Sequence, residues 1–555
     1  MMKKVRAFLL VVLSLAAGCP QGGLCANNPV VVADYSVVPL PSDIVLKGGG
    51  GFLLDSRCLI ETAPDEAMHA NGLLLSRYLE ELKDLKLEVI KTQKGEKAKG
   101  RIALRLSAKV TADEGYRLTV EKSGVVIEGR TAAGVFYGIQ TLRKSLAAAT
   151  PDESGAFLLP AVEINDAPRF GWRGMHLDVS RHFFNKDFVK QYIEMMVLHN
   201  MNRLHLHLTD DQGWRMEVKR FPLLTSVGGW RSYTTLGRNS SVSDRTPHGG
   251  FFTQEELREI VAYARQRHVE VIPEIDMPGH MLAALAAYPQ LGCTGGPYSV
   301  EGHWGVFDDI LCAGKEETFD FVTAVLSEVM DVFPSTYIHI GGDEAPRKRW
   351  KECPLCQRRI RREHLEAVEG QSAEARLQGY FTKRVEKFVN SRGRKLIGWD
   401  ELLETGVDAT ATIMSWRGVS GGLVASEKGH DVIMAPVDYC YFNFYLTKDH
   451  DWGEPFAFDA VISLESTYGF DPAPETLSEA ARRHVLGVQG NLWTEYIPFE
   501  SQAQYQVLPR MGALAEVQWM APGRKDYSQW RERQKGLLAV YDKYGWAWAP
   551  HLSEE

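Results

Sequence analysis

The strongest constraint on this chain is an alternation repeated eight times. Short, apolar, β-rich segments recur at Gly174–Val179, Arg203–Leu208, Glu270–Ile275, Tyr337–Ile340, Lys395–Gly398, Thr412–Ser415, Val432–Ala435 and Val485–Val488. Helical spacing of apolar residues fills most of the gaps, as at Lys186–His199, Thr253–Arg267, Lys315–Val332, Gln371–Asn390 and Glu475–His484. Strand alternating with helix eight times predicts an α/β fold, a closed (β/α)8 TIM barrel with parallel strands. The segments share no repeated sequence, which suits a barrel better than a solenoid.

The 555 residues are too many for one ordinary domain. Before the barrel, Ala70–Leu85 and Ala132–Leu146 read as helices, and Arg101–Leu106, Tyr116–Val120 and Val125–Gly129 as strands. These predict a small α+β domain over residues 27–165, with Pro39-Leu-Pro41 and Gly48–Gly51 at its start and Ile164–Arg169 as the linker out of it. The barrel is expected over 166–525, and a closing helix and tail over 526–555, with Leu508–Met520 and the stretch to Tyr544 packing as helices.

Lys3, Lys4 and Arg6 precede an apolar run, Ala7–Ala17, too short to span a bilayer. This pattern is a signal peptide, residues 1–26, and predicts a periplasmic, outer-membrane-anchored or extracellular protein. Leu15-Ala-Ala-Gly-Cys19 resembles a lipoprotein box with its Leu one place early, so a lipid at Cys19 is the one membrane contact expected. Leu24-Cys25-Ala26 before Asn27 is the alternative cleavage site. Formal net charge is −8, and about −11 once the leader's cations are removed, which argues against a nucleic-acid partner. The basic stretches Arg347-Lys-Arg349 and Arg358–Arg362 read as a solvated helix face.

Catalytic residues of such barrels stand at the C-terminal strand ends. There the sequence places Asp178 and Arg181, then Asp210, Asp211 and Trp214, then Asp276 and His280. Strand 4 ends in Gly341-Gly-Asp-Glu344, and strand 5 in Trp399-Asp400-Glu401. Trp416-Arg417 follows strand 6, Asp438, Tyr439, Tyr441 and Asn443 follow strand 7, and Asn491, Trp493 and Glu495 follow strand 8. Acids that cleave, rings that stack on sugar faces and polar groups that bind hydroxyls describe a carbohydrate site. A single Asp after a strand is commonly a helix cap, and Asp400, Asp438 and Asp211 can be read that way.

Arg173-Gly-Met-His-Leu-Asp-Val-Ser-Arg-His-Phe183, His205-Leu-His-Leu-Thr-Asp-Asp211, Glu274-Ile-Asp-Met-Pro-Gly-His280 and His339-Ile-Gly-Gly-Asp-Glu344 occur in this order, followed by Gly398-Trp-Asp-Glu401 and Leu492-Trp-Thr-Glu495. Together they resemble family 20 glycoside hydrolases, the β-N-acetylhexosaminidases. The resemblance implies removal of terminal β-linked N-acetylhexosamine from glycans or chitooligosaccharides, without a cofactor or metal, by a retaining route in which the substrate's own 2-acetamido oxygen is the nucleophile. That oxygen is already tethered beside the anomeric carbon, so its attack is intramolecular.

By the same resemblance, Glu344 is the general acid/base, its pKa raised by burial and neighbouring charge. Asp343 accepts the acetamido N–H and steadies the oxazolinium intermediate, and Tyr441 polarises the acetamido carbonyl. Arg181 and Glu495 hold ring hydroxyls, and Asp210 and His280 support the acid. Trp399, Trp416 and Trp493 wall the sugar. Asn443 stands where Asp also occurs in the family and faces the outer hydroxyls, leaving gluco or galacto preference open. Trp214 belongs to the same rim.

Two other readings compete. His205-Leu-His207 could begin a metal-dependent amidohydrolase set with His280 and His339, but both lie within a strand and packing inside the barrel is the simpler account. A non-catalytic sugar binder should have lost its acid, whereas Asp343, Glu344 and Tyr441 are all present. Among eight cysteines, Cys293 and Cys312 flank one loop and are the preferred disulfide. Cys353-Pro-Leu-Cys356 reads as a local disulfide or two thiols, because no second ligand pair adjoins it in sequence.

Overall fold

The computed structural model describes residues 30–92, 100–448 and 453–553; the expected leader lies outside them. Eight parallel strands close into a barrel, in order Trp172–Asp178, Arg203–His207, Glu270–Glu274, Tyr337–His339, Lys395–Trp399, Thr412–Ser415, Val432–Met434 and Val485–Gly490, the last pairing with the first. Each expected segment is a strand. Between them run the helices Lys186–Leu198, Gln254–Arg265, Glu316–Val332, Ala373–Ser391 and Glu479–His484. Their starts are chemically marked: Asn185 caps the first, and Thr253 with Glu256 forms a capping box on the second.

The barrel interior divides in two. Trp172, Ile272, Ile397, Met414 and Ile433 form an apolar cluster that also takes in Trp399. Above it, His205, His207 and His339 surround the fully buried Glu274. The main core lies outside the barrel, between strands and helices. Arg510–Trp519 and Tyr527–Tyr544 close the fold as helices. No helix among the described residues is long and apolar enough to cross a membrane.

The N-terminal domain is a seven-stranded sheet with the helices Glu66–Lys83 and Ala132–Ser145. Four of its strands escape the sequence pattern: Asp43–Leu54, Leu59–Thr62, Glu88–Lys91 and Phe157–Asp166. Gly48–Gly51 does not begin the folded part but lies inside the edge strand, where register slips between Leu46 and Gly51; an edge tolerates such an irregularity. The expected linker starts too early, because Ile164 is buried and pairs with Leu118 and Ile44. The domain docks under the barrel through Arg173, whose buried guanidinium meets Glu114 at 2.7 and 3.0 Å.

Candidate active site

Strand 4 runs into Gly341 and Gly342, at φ +67° and +96°. A Cβ on Gly341 would lie 1.7 Å from Asp276 Oδ1, and the Gly342 N–H donates to that same oxygen at 3.2 Å. The turn therefore requires a residue without a side chain at 341. Glu344 itself sits at φ +44°, a conformation that costs side-chain-bearing residues on the order of 1–3 kcal/mol and clusters at functional sites. The turn leaves the Asp343 side chain 13% exposed and that of Glu344 41% exposed, at the mouth.

A relay of side chains runs beneath this pair. His207 Nδ1 lies 2.5 Å from Glu274 Oε2 and its Nε2 2.8 Å from Asp210 Oδ2. Asp210 Oδ1 is 3.2 Å from His280 Nδ1, with Asp211 equally close. His280 Nε2 then faces Asp343 at 3.7 Å and Glu344 at 3.6 Å. Burial opposes charge on His280, yet Asp210, Asp211 and Glu344 together hold its pKa well above the ordinary imidazole value.

The carboxyl pair differs from expectation. The hydrogen bond to His280 holds Glu344 below the usual carboxylate range, not above it, against the opposing effect of burial. Burial, with Glu274 and Glu344 adding repulsion, pushes Asp343 up to about 6 despite His280. A cation contributed by strand 3 is the reason: it faces both acids, and Glu344 is the more open of the two.

Above the pair is a cleft of about 620 Å³. Trp399 is buried, donates to Glu274 Oε1 at 3.0 Å and lies 5.9 Å from the Trp493 ring. Trp416 stacks 6.1 Å from Tyr441, its indole N–H held by Glu401 at 3.0 Å. Burial pushes Glu401 up to about 8, Asp343 adding to the effect. Arg181 lies over the Trp493 ring at 5.0 Å and pairs with Asp210 at 2.9 Å. Asn443 and Glu495 complete this wall, and burial lifts Glu495 to about 7 against the pull of Arg181. Three buried acceptors of the cleft, Asp343 Oδ1, Asn443 Oδ1 and Glu495 Oε2, have no hydrogen-bond partner among the described residues.

The structure thus brings the expected residues to one place, with Asp210 directly behind the cleft. Trp214 is not on the rim: it is fully buried, donates to Met216 O at 2.6 Å and packs against Phe321. Asp438 is exposed and does not line the cleft. Asp400 caps the Trp416 and Arg417 amides, and Asp211 holds the Leu282 amide as well as His280. Trp304, Arg238, Phe458 and Tyr496 line the mouth unanticipated. Trp304, Arg238 and Phe458 arrive on loops or a minor strand where no periodicity marks them, whereas Tyr496 directly follows Glu495 after strand 8.

His205 and His207 pack inside the barrel, as the simpler reading held. Two donors on a tetrahedral ion at 2.0–2.1 Å stand about 3.3 Å apart. His207 and Glu274 at 2.5 Å are hydrogen-bonded instead.

Residues 170–522 match the family model "Glycosyl hydrolase family 20, catalytic domain", and residues 34–167 match "Glycosyl hydrolase family 20, domain 2". The chain belongs to glycosyl hydrolase family 20. It is therefore a glycoside hydrolase of the β-hexosaminidase type. It is 40% identical to a beta-hexosaminidase of Porphyromonas gingivalis over 97% of this chain and 67% of that protein. A Vibrio furnissii beta-hexosaminidase is 36% identical over 73% of this chain and 65% of its own length. The chain thus spans about two thirds of the length of these relatives. Among solved structures, the family 20 β-N-acetylhexosaminidase of Streptomyces coelicolor A3(2) superposes with a TM-score of 0.79 at 32% identity, covering 94% of this chain and 98% of that one.

The basic stretches at 347–362 lie mostly on a solvated face, as expected: Lys348, Arg358, Arg361 and Arg362 are exposed, Lys348 and Arg349 pair with Asp308 and Asp309 at the surface, and Arg359 alone is buried, against Glu316. The expected disulfide changes. Cys293 and Cys312 are not joined, being both free. The second pair that Cys353 and Cys356 lacked in sequence is supplied by tertiary structure, since Cys293 and Cys312 lie beside them.

Proposed function

We propose that this chain removes terminal non-reducing β-linked N-acetylhexosamine, N-acetylglucosamine foremost, with Glu344 as acid/base and Asp343 as the group that holds the substrate's acetamide. One observation carries the reading. Asp343 Oδ1 is buried without a hydrogen-bond partner among the described residues, in a cleft walled by Trp399, Trp416, Trp493 and Tyr441. An acceptor so placed is costly to leave unmade and suits an amide N–H. The apolar walls suit a methyl group and a sugar face.

In the proposed cycle the acetamido oxygen attacks the anomeric carbon while Glu344 gives its proton to the departing glycosidic oxygen. The oxazolinium ion carries positive charge next to ionised Asp343. Water, deprotonated by Glu344, then opens the ring with overall retention. Tyr441 supplies a hydrogen bond to the acetamido oxygen, and Arg181, Asn443 and Glu495 meet the ring hydroxyls. Glu401 keeps Trp416 upright. The basic and apolar start of the sequence supports export.

The test compares nitrophenyl β-N-acetylglucosaminide with the β-glucoside that has a hydroxyl in place of the acetamide. The glucoside should be essentially inert. Comparable turnover of both would refute acetamido participation.

A further inference from the structure

Four cysteines from two stretches of chain meet beside the barrel. Cys293 and Cys312 close the loop that follows strand 3, while Cys353 is the N-cap and Cys356 the third residue of the helix Pro354–Arg362 after strand 4. Cys312 Sγ stands 3.6 Å from Cys356 Sγ and 3.7 Å from Cys353 Sγ, and Cys293 Sγ stands 3.8 Å from Cys356 Sγ. All four sulfurs lie within 4.8 Å of one another. All four are free thiols, and all but Cys293 are buried.

A zinc ion bound by four thiolates at about 2.3 Å holds its sulfurs about 3.8 Å apart, the edge of the tetrahedron. A disulfide would need about 2.05 Å. The three separations follow the tetrahedral edge. The surroundings fit the same use. Cys353 and Cys356 occupy the first turn of a nine-residue helix, whose N-terminal amides and dipole favour thiolate. Gly314 lets the other stretch close on that turn: a Cβ there would lie 2.3 Å from the Leu355 carbonyl carbon and 2.4 Å from Cys356 N. Four sulfur donors select a soft or borderline ion, and tetrahedral geometry selects zinc.

We propose that Cys293, Cys312, Cys353 and Cys356 bind one structural zinc ion. Binding converts four thiols to thiolates and releases their protons to solvent. The ion fastens the base of the loop whose tip, Trp304–Val306, lines the mouth of the cleft. The same loop is tied to the site by the Glu301 N–H to Asp211 O at 3.0 Å and by Gln212 Nε2 to His303 O at 2.8 Å. The ion has no part in bond cleavage. It shapes the mouth of the cleft.

The test uses the full chain purified without chelator. Elemental analysis should find about one zinc per chain, released when a mercurial titrates the thiols. Cobalt exchanged into the protein should show thiolate charge-transfer and tetrahedral d–d bands. Cys312→Ser should lose the metal, whereas Cys58→Ser, in the N-terminal domain, should keep it. Loss of metal should raise KM for oligosaccharides several-fold more than it lowers kcat. If Cys312→Ser does not fold, the wild-type protein still decides. Alkylation in denaturant without reductant should modify these four cysteines once zinc is chelated. No zinc, with the four protected as two disulfides, would overturn the proposal, as would no zinc with four free thiols and no cobalt spectrum.

Discussion

His280 Nε2 lies 3.6 Å from Glu344 Oε2. His280 also lowers the pKa of Asp343, so one imidazolium tunes both acids. In the free enzyme their order is the reverse of what the proposed cycle needs. Asp343 is pushed up to about 6 and Glu344 lies below its ordinary value, whereas the proposed cycle uses Asp343 charged and Glu344 protonated. The two therefore titrate as a pair, and the proposed cycle draws on its one-proton form with the proton on Glu344.

From this follows the behaviour of His280→Gln. Loss of the cation raises both carboxyl pKa values. The acid limb of kcat/KM against pH, set by ionisation of the pair's first member, should move to higher pH, and the alkaline limb with it. The peak should fall about 10²-fold, in the range of other acid/base perturbations. A profile that only drops, with both limbs in place, would show that His280 supports structure alone.

Glu344→Gln removes the proton donor and leaves the acetamide in place. Substrates with poor leaving groups should lose about 10²- to 10⁴-fold in kcat/KM. Nitrophenolate departs without protonation, so its release should suffer much less at the first step. Equal losses across a leaving-group series would exclude Glu344 as the acid.

Asp343→Asn keeps the size of the side chain and removes its charge. A loss of about 10²–10³ in kcat is expected, the scale of a single preorganised electrostatic contact. A thiazoline mimic of the oxazolinium ion should inhibit the wild type tightly and the variant weakly. Equal inhibition of the two proteins would show that Asp343 does not meet the ring nitrogen.

How much of this was legible beforehand depended on whether local pattern or tertiary contact set the outcome. Thr412–Ser415 reads as a strand because four residues buried on both faces leave a continuous β-rich run. Asp343 and Glu344 stand out because their position after strand 4 already specifies the rim. Phe157–Asp166 was hidden, since its alternation is interrupted by Pro160 and ends in Asn165-Asp166. Trp214 misled because its following turn folds it back into the core. The lowered pKa of Glu344 depends on an imidazole 64 positions earlier in the chain, and the four-cysteine cluster depends on two stretches meeting. No single-segment pattern contains either.

Gly341→Ala tests whether the catalytic turn is set by sterics. The new methyl would overlap Asp276 Oδ1, and φ is +67°. Alanine at such an angle costs more than the ~1 kcal/mol of a compatible exchange, and Asp276 can retreat only by releasing the Gly342 N–H. The expected loss is about 2–4 kcal/mol in unfolding free energy, in line with combined backbone strain and a broken buried hydrogen bond. Activity should fall further than stability explains, because Asp343 and Glu344 hang from the same turn. Denaturant unfolding gives the first quantity and kcat/KM on folded protein the second. An alanine variant with wild-type midpoint and wild-type kcat/KM would mean that the turn is held by its neighbours and not by the absent side chain.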